Sequence, residues 1–288
     1  LLILASSIAS IGISAGAFAQ ENLPYQKPPQ SILALADVER APAVSMDSKK
    51  NMMLLTYRST FKTLNELNQS EMRLGGLRIN PVTNISSSVN YINNVKLRKV
   101  SDSAEQQVKG LPKDALISNL MWSPNEKKIA FTHTTSNAVE LWVIDVASAQ
   151  AKRLSNAKLN ANLDNPFVWF KDSENLLVKV LPKNRPALLD ASKDLPTGAI
   201  ISNADGSVSQ NRTYPDLLKN RNDEINFENI ASSELHKVHV SGTSTLWKKA
   251  DMYAGESFSP DGKLLMLTTI QKPFSYIVPI NRFPSKTI

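Results

Sequence analysis

Met121-Trp-Ser-Pro-Asn-Glu-Lys-Lys-Ile-Ala-Phe131 and Ser257-Phe-Ser-Pro-Asp-Gly-Lys-Leu-Leu-Met-Leu267 place the same turn before a short apolar run. Proline presets φ for the second position of a turn, and Asn, Asp and Gly occupy the remaining positions at little steric cost. The lysine then returns the chain to a strand that faces water. Each stretch therefore predicts a hairpin between two β-strands.

Two degenerate copies keep the order of turn and strand without the proline. They are Val44-Ser-Met-Asp-Ser-Lys-Lys-Asn-Met-Met-Leu-Leu55 and Trp169-Phe-Lys-Asp-Ser-Glu-Asn-Leu-Leu-Val178. With Ser45, Ser123, Phe170 and Ser259 as markers, the gaps are 78, 47 and 89 residues. A period of about 40 to 50 residues is typical of β-propeller blades. We interpret the middle gap as one such unit and the outer gaps as nearly two.

The sequence thus predicts an all-β fold, an incomplete β-propeller with about four blades' worth of chain. The best blade runs from Leu116 to Leu154, and its strand Leu141-Trp-Val-Ile-Asp-Val146 is apolar on both faces, as expected where blades pack together. A segment from Tyr214 to Phe227 predicts a short helix inserted between blade strands. The predicted strands are Met52 to Tyr57, Val89 to Leu97, Ile129 to His133, Leu141 to Val146, Leu176 to Val180, Ala199 to Ser202, Lys237 to Val240, Leu264 to Thr269 and Ser275 to Val278.

Composition and charge restrict the function classes. The 288 residues are 42% hydrophobic and 20% charged, which is ordinary for a globular protein. The net charge of +7 is spread along the chain and not gathered into one patch. This distribution predicts a solvated surface and argues against a nucleic-acid partner.

The amino-terminal residues have the pattern of an export signal. Residues 1–19 carry no charge and end in Ala17-Phe-Ala19 before Gln20, an apolar core followed by a cleavage site. We expect a signal peptide clipped at its start over residues 1–19, a proline-rich leader over 20–43 and the partial propeller over 44–288. The expected location is a bacterial periplasm or exterior, with no stable membrane anchor after cleavage; a transmembrane anchor is the alternative interpretation.

Motifs for chemistry are scarce. The nucleophile elbow Gly-x-Ser-x-Gly is missing from the sequence. Glu234, His236 and His239 form Glu-x-His-x-x-His, but residues three apart on a strand face opposite sides and do not converge on one metal. We therefore expect no catalytic residue, no metal and no cofactor in this chain.

The segment from Leu64 to Asn84 differs from a simple connector because it carries Arg73 and Arg78 between apolar residues. Arginines in such settings commonly bridge carboxylates with their forked donors. We favour this bridging role for both residues, and substrate binding is the alternative.

That segment also carries a family resemblance. Together with Lys27-Pro-Pro-Gln-Ser-Ile32 and Ala41-Pro42, it resembles the amino-terminal region of the glutamyl endopeptidases of the prolyl oligopeptidase class (S9), known from plant chloroplasts and bacteria. The resemblance continues to the closing motif Lys272-Pro-Phe-Ser-Tyr-Ile-Val-Pro-Ile-Asn-Arg-Phe-Pro-Ser-Lys286. Departures are modest, since Gly75 stands where alanine is usual and Val38-Glu-Arg40 replaces the common Val-Asp run.

The resemblance implies a two-part serine peptidase, in which a propeller caps a carboxy-terminal α/β-hydrolase domain that carries the Ser, Asp and His of the triad. This chain would then be the non-catalytic propeller portion, which gates access of a peptide substrate to the missing domain. The alternative is a free-standing exported propeller that binds a partner and catalyses nothing.

Overall fold

The computed structural model describes residues 26–36, 38, 40–190, 206 and 214–288. These residues fall into two compact units, one before residue 39 and one from residue 40 onward. The first contains a single helix, α1, in the proline-rich segment. In chain order the elements are α1 Gln30–Ala36, β1 Ala43–Met46, β2 Met52–Tyr57, α2 Leu64–Leu67, β3 Met72–Leu74, β4 Leu77–Asn80, β5 Ile85–Ser86, β6 Asn94–Lys99, β7 Gln106–Gln107, β8 Ile117–Trp122, β9 Lys128–Thr134, β10 Val139–Asp145, β11 Gln150–Arg153, β12 Phe167–Trp169, β13 Asn175–Val180, α3 Arg221–Ala231, β14 Ser233–His239, β15 Ser244–Asp251, β16 Tyr253–Phe258, β17 Leu265–Ile270, a 3-10 turn Ile280–Arg282 and β18 Ser285–Thr287.

Four antiparallel sheets follow one another along the chain as blades. Their strand orders are β1-β2-β6-β7, β8-β9-β10-β11, β12-β13-β14-β15 and β16-β17-β18, which we call blades 1 to 4. A fifth sheet, β3-β4-β5, lies within the connection from β2 to β6. The predicted all-β fold with about four blades and an inserted helix is confirmed.

The four marker turns occupy the same place in every blade, between its first and second strands. Each closes with a backbone hydrogen bond from the fourth residue to the first, and the fourth residue is left-handed. The pairs are Asp47 with Lys50 (φ 57°), Ser123 with Glu126 (59°), Phe170 with Ser173 (60°) and Ser259 with Gly262 (74°). The marker of blade 1 is therefore Asp47, two residues beyond the predicted Ser45.

Contacts between these turns join each blade to the next. The Ser48 N–H of blade 1 donates to Glu126 Oε1 of blade 2 at 2.6 Å, and the Asn125 N–H donates to Ser173 Oγ of blade 3 at 3.0 Å. In both cases the acceptor is the left-handed residue of the later turn. Between blades 3 and 4 the donor again belongs to the earlier blade, but it is a side chain: Lys171 Nζ donates to the Pro260 carbonyl at 2.7 Å.

The interpretation of the outer gaps as nearly two blades was wrong. Each of the three gaps contains one blade, and the extra residues are insertions that follow the second strand of blades 1 and 3. The first, residues 58–93, holds α2 and the sheet β3-β4-β5. The second, residues 181–232, holds α3. An insertion lengthens the spacing between marker turns without adding a blade, because the strands before and after it are neighbours in the same sheet.

Strand β10 shows how the blades pack. Leu141 and Val143 are buried in a core shared with blade 3, whereas Ile144 and Val146 are buried in a core shared with blade 1. The predicted two-sided burial of Leu141 to Val146 is confirmed.

A buried ion pair joins blades 3 and 4. Lys179 Nζ lies 3.1 Å from Glu256 Oε2 and also donates to the Leu163 carbonyl at 2.9 Å, and the two side chains are 2% and 7% exposed. Burial raises the pKa of the Glu256 carboxyl, and the Lys179 charge offsets this only in part. Breaking such a pair strands an uncompensated charge, so it resists separation of the two blades.

Most of the predicted strands are present. Seven overlap β2, β6, β9, β10, β13, β14 and β17, and Ala199 to Ser202 lies outside the described residues. The strand predicted for Ser275 to Val278 is wrong. Pro273 and Pro279 flank this stretch and donate no hydrogen bond to a ladder, and Val278 packs against the core of the insertions while Ile277 is exposed.

We expect Gly262→Ala to destabilise the junction of blades 3 and 4. A Cβ there would lie 2.7 Å from Lys171 Cβ, and the residue is left-handed, so the free energy of unfolding should fall by about 1–2 kcal/mol. Gly255→Ala is the control, because its Cβ would meet nothing closer than 3.7 Å. Urea unfolding of both variants measures the difference, and equal midpoints would contradict the packing described above.

Candidate functional site

Both insertions lie at the same end of the blades. Because neighbouring strands are antiparallel, a connection after the second strand lies opposite the marker turn that precedes that strand. The described parts of residues 58–93 and 181–232 therefore share one face of the fold, which we call the insertion face.

The two insertions form one layer. Leu74 and Ile79 of the first share a buried core with Phe227 and Ile230 of α3. Helix α3 begins where Asn220 Oδ1 accepts a hydrogen bond from the Asp223 N–H, six residues after the point suggested by Pro215. This shared core fixes the loop before α3 against the hairpin of β3 and β4.

Arg73 and Arg78 lie opposite each other in that hairpin, and both pair with carboxylates of the chain. Arg78 Nε lies 2.7 Å from Asp216 Oδ2, and Arg73 Nη1 lies 3.6 Å from Asp216 Oδ1. Arg73 Nε also donates to Glu71 at 2.7 Å, and hydrogen bonds from Ser87 and Arg73 lower the pKa of the Glu71 carboxyl. Each guanidinium thus bridges structural elements, and binding of substrate by either residue stays a prediction.

A cleft of about 980 Å³ lies on the insertion face and is lined by both ends of the first insertion. Four chain segments line it: residues 57–66, which include the start of α2, residues 90–96 before and within β6, Gln107, and residues 111–116 before β8, together with Arg40. Its cationic side chains are Arg40, Arg58, Lys62 and Lys96, its anionic ones are Glu66 and Asp114, and its aromatic ones are Tyr57, Phe61 and Tyr91. We call it the basic cleft.

One wall of the basic cleft is held by an ion pair and a tyrosine. Lys96 Nζ donates to Glu105 Oε2 at 2.8 Å, and the Tyr57 hydroxyl donates to the same oxygen at 3.0 Å. The Lys96 ammonium also lies 4.9 Å from the centre of the Tyr57 ring. Hydrogen bonds from Lys96 and Tyr57 lower the pKa of the Glu105 carboxyl, so it remains ionised and neutralises Lys96.

The sequence did not indicate this cleft. Its cations are single residues in separate segments, and the sheet order of blades 1 and 2 alone brings them together. The only local signal was Arg58-Ser-Thr-Phe-Lys62, a polar run with two cations directly after a predicted strand.

The histidines of the Glu-x-His-x-x-His string bind different partners. His236 lies 3.1 Å from Glu234 and 3.2 Å from Ser244, whereas His239 lies 2.8 Å from Ser241. No group of three His, Asp or Glu residues that could hold a metal ion occurs among the described residues. Nor does any helix in the described ranges have the length and apolarity needed to cross a bilayer.

We expect Asp216→Asn to loosen the loop before α3. Asparagine keeps the shape and tolerates the left-handed backbone (φ 60°), but it removes the charge that holds both arginines. The Gly76 N–H, which donates to the Asp216 carbonyl at 2.8 Å, should then exchange with solvent several-fold faster. Asp261→Asn, in the marker turn of blade 4, is the control, and unchanged exchange at Gly76 would argue against a bridging role for the arginines.

Two relatives cover most of this chain. A probable chloroplastic glutamyl endopeptidase of rice (Oryza sativa subsp. japonica) is 33% identical in an alignment of 276 residues that covers 91% of this chain and 29% of the rice protein. Its counterpart in Arabidopsis thaliana is 31% identical over 91% of this chain and 28% of its own length. The chain therefore spans less than a third of the relatives it matches.

Other comparisons add less. No protein-family model matches the chain. Among solved structures, an acylaminoacyl peptidase from Pyrococcus horikoshii superposes with a TM-score of 0.45 at 14% identity, covering 88% of this chain and 33% of the other. The assignment accordingly rests on the sequence match, which confirms the predicted resemblance to the glutamyl endopeptidases over the stretch of those proteins that this chain covers.

Proposed function

We propose that this chain is the non-catalytic propeller portion of an exported serine peptidase of the glutamyl endopeptidase type. The observation that carries the proposal is the 33% identity to a probable glutamyl endopeptidase over 91% of the chain. The remaining length of such relatives leaves room for an α/β-hydrolase domain. In that domain an activated serine would cleave the peptide through an acyl-enzyme, with histidine as the general base.

The propeller's role in this proposal is to select the peptides that reach the hydrolase domain. The insertion face supports this role, because it carries the basic cleft and the two insertions in one packed layer. The opposite face holds the tight marker turns, whose hydrogen bonds are used between blades. A hydrolase domain that covered the insertion face would place its active site near a cleft able to hold a peptide.

Export is a separate part of the proposal. It rests on the uncharged residues 1–19 and the Ala17-Phe-Ala19 cleavage pattern, which lie outside the described residues. The relatives from rice and Arabidopsis are themselves named chloroplastic. We propose that this chain is secreted instead, into a periplasm or to the cell exterior.

The complete reading frame should encode an active peptidase. We expect it to continue past codon 288 into a Gly-x-Ser-x-Gly elbow, and the purified product to release a chromophore from a glutamyl reporter. A serine-reactive inhibitor and replacement of the elbow serine by alanine should each abolish release, and the glutaminyl reporter is the matched control. A genuine stop codon at position 289 would overturn the peptidase in favour of a free-standing binding module.

Export predicts a defined mature terminus. Protein recovered from the periplasm or medium should begin at Gln20, because the small residues Ala17 and Ala19 fit the signal peptidase. Ala19→Arg should block cleavage and leave the precursor with the membranes, whereas Ala15→Ser, outside the cleavage motif, should be processed normally. Recovery of the uncleaved chain from the cytoplasm would contradict export.

A further inference from the structure

We propose that the basic cleft binds a peptide segment through the carboxylates of its acidic side chains, with Arg58 and Lys62 as the principal ligands. The inference rests on the proposed function and deepens it, since it names the propeller residues that would select a peptide substrate. Binding by the cleft is nevertheless a property of the propeller alone, so it can be tested without turnover.

The charges of the cleft carry the argument. Within the described residues, Arg58 and Lys62 pair with no carboxylate, and Lys62 Nζ donates instead to the Ser87 carbonyl at 3.4 Å. Lys96, by contrast, is neutralised by Glu105 at 2.8 Å. Cations without a counter-charge attract an anionic ligand, because the concave wall weakens screening by water.

Neither acidic side chain of the cleft forms an ion pair with Arg58 or Lys62 among the described residues. Glu66 Oε2 accepts hydrogen bonds from the Thr63 N–H at 2.7 Å and the Thr63 hydroxyl at 2.8 Å, and this capping box occupies its carboxylate at the start of α2. Asp114 is the other acidic side chain of the lining, and it belongs to the segment before β8 and not to the loop of Arg58 and Lys62. The loop thus presents its cations to the cleft.

Size and aromatic lining favour a peptide over a small anion. Ligand sites for small molecules commonly enclose about 300–1,000 Å³, and this cleft, at about 980 Å³, is at the upper end. Phe61 is 66% exposed, and Tyr57 and Tyr91 add aromatic surface around the cations. Asn90 supplies an amide group that matches a peptide backbone. A phosphate ion would use the cations and leave the aromatic and amide surface uncovered.

The site is also partly preorganised. Tyr57 and Lys96 are fixed by Glu105, and Asn93 Nδ2 donates to Ser59 Oγ at 3.1 Å, which ties the loop after β2 to the segment before β6. A ligand that binds there loses less free energy in ordering the wall, so a short acidic peptide is sufficient as a probe.

The test measures binding of a fluorescein-labelled Ala-Glu-Ala-Glu-Phe peptide by anisotropy. The protein is the product of the complete reading frame, treated with a serine-reactive inhibitor so that the probe stays intact. We expect Arg58→Glu combined with Lys62→Glu to weaken binding by more than about tenfold, since each reversal replaces an attraction by a repulsion. Lys49→Glu combined with Lys127→Glu makes the same change in net charge at exposed marker turns and should alter binding less than about twofold.

The remaining arms identify the ligand. The Ala-Gln-Ala-Gln-Phe probe should bind far more weakly, and affinity for the Glu probe should fall as salt rises. The proposal is overturned if both probes bind equally, if the cleft reversals leave affinity unchanged in variants that unfold at the wild-type temperature, or if inorganic phosphate or a DNA oligonucleotide competes as well as the unlabelled Glu peptide. If the protein binds the Glu probe but has no peptidase activity, the proposed function is rejected and binding by the cleft is not. If it is an active peptidase but the probe does not bind, binding by the cleft is rejected and the proposed function is not.

Discussion

The link from one marker turn to the next is the constraint on which the rest of the fold depends. In blades 2 and 3 the fourth residue of the turn is left-handed, and its side chain accepts a backbone N–H from the preceding blade. One position thus sets both the hairpin and the distance between blades. In blade 4 that position is Gly262, where the stem of Lys171 occupies the space of a side chain and carries the link itself. A turn that is local in sequence therefore specifies a long-range arrangement.

The marker turns hold neighbouring blades at the distance at which the interblade cores and the Lys179–Glu256 pair can form. Leu141 and Ile144 can be buried on opposite faces of β10 only because blades 1 and 3 are both held at packing distance. The ion pair adds specificity where blades 3 and 4 meet. If one blade shifted, the Lys179 ammonium, whose side chain is only 2% exposed, would lose its partner and remain buried. Apolar packing alone tolerates small shifts, whereas this pair does not.

Sequence reasoning recovered what is encoded locally. The Ser-Pro-Asn and Ser-Pro-Asp turns predicted the hairpins, and strand alternation predicted the packing of Leu141 to Val146. The blade count inferred from the spacing of the marker residues was wrong for the outer gaps. An insertion that returns to the next strand of the same sheet has, in sequence, the length of an added blade. The basic cleft was missed for a related reason: Arg58 and Asp114 are 56 positions apart and meet only through the sheet order. Ser275 to Val278 shows the limit of propensity, since a four-residue stretch between two prolines has little room to pair with a neighbouring strand.

Arginines on the insertion face divide according to their partners, and this division separates structure from ligand binding. Arg78 is held by Asp216 at 2.7 Å, in a loop whose backbone also accepts from Gly76, so its charge is already used to join the two insertions. Arg58 is exposed and pairs with no carboxylate in the described part of the chain. The sequence marked Arg73 and Arg78 because they stand between apolar residues, but that same setting gives them fixed partners. A cation that remains available to a ligand belongs instead to a polar loop, such as Arg58-Ser-Thr-Phe-Lys62, where the fold supplies the cleft and no counter-charge.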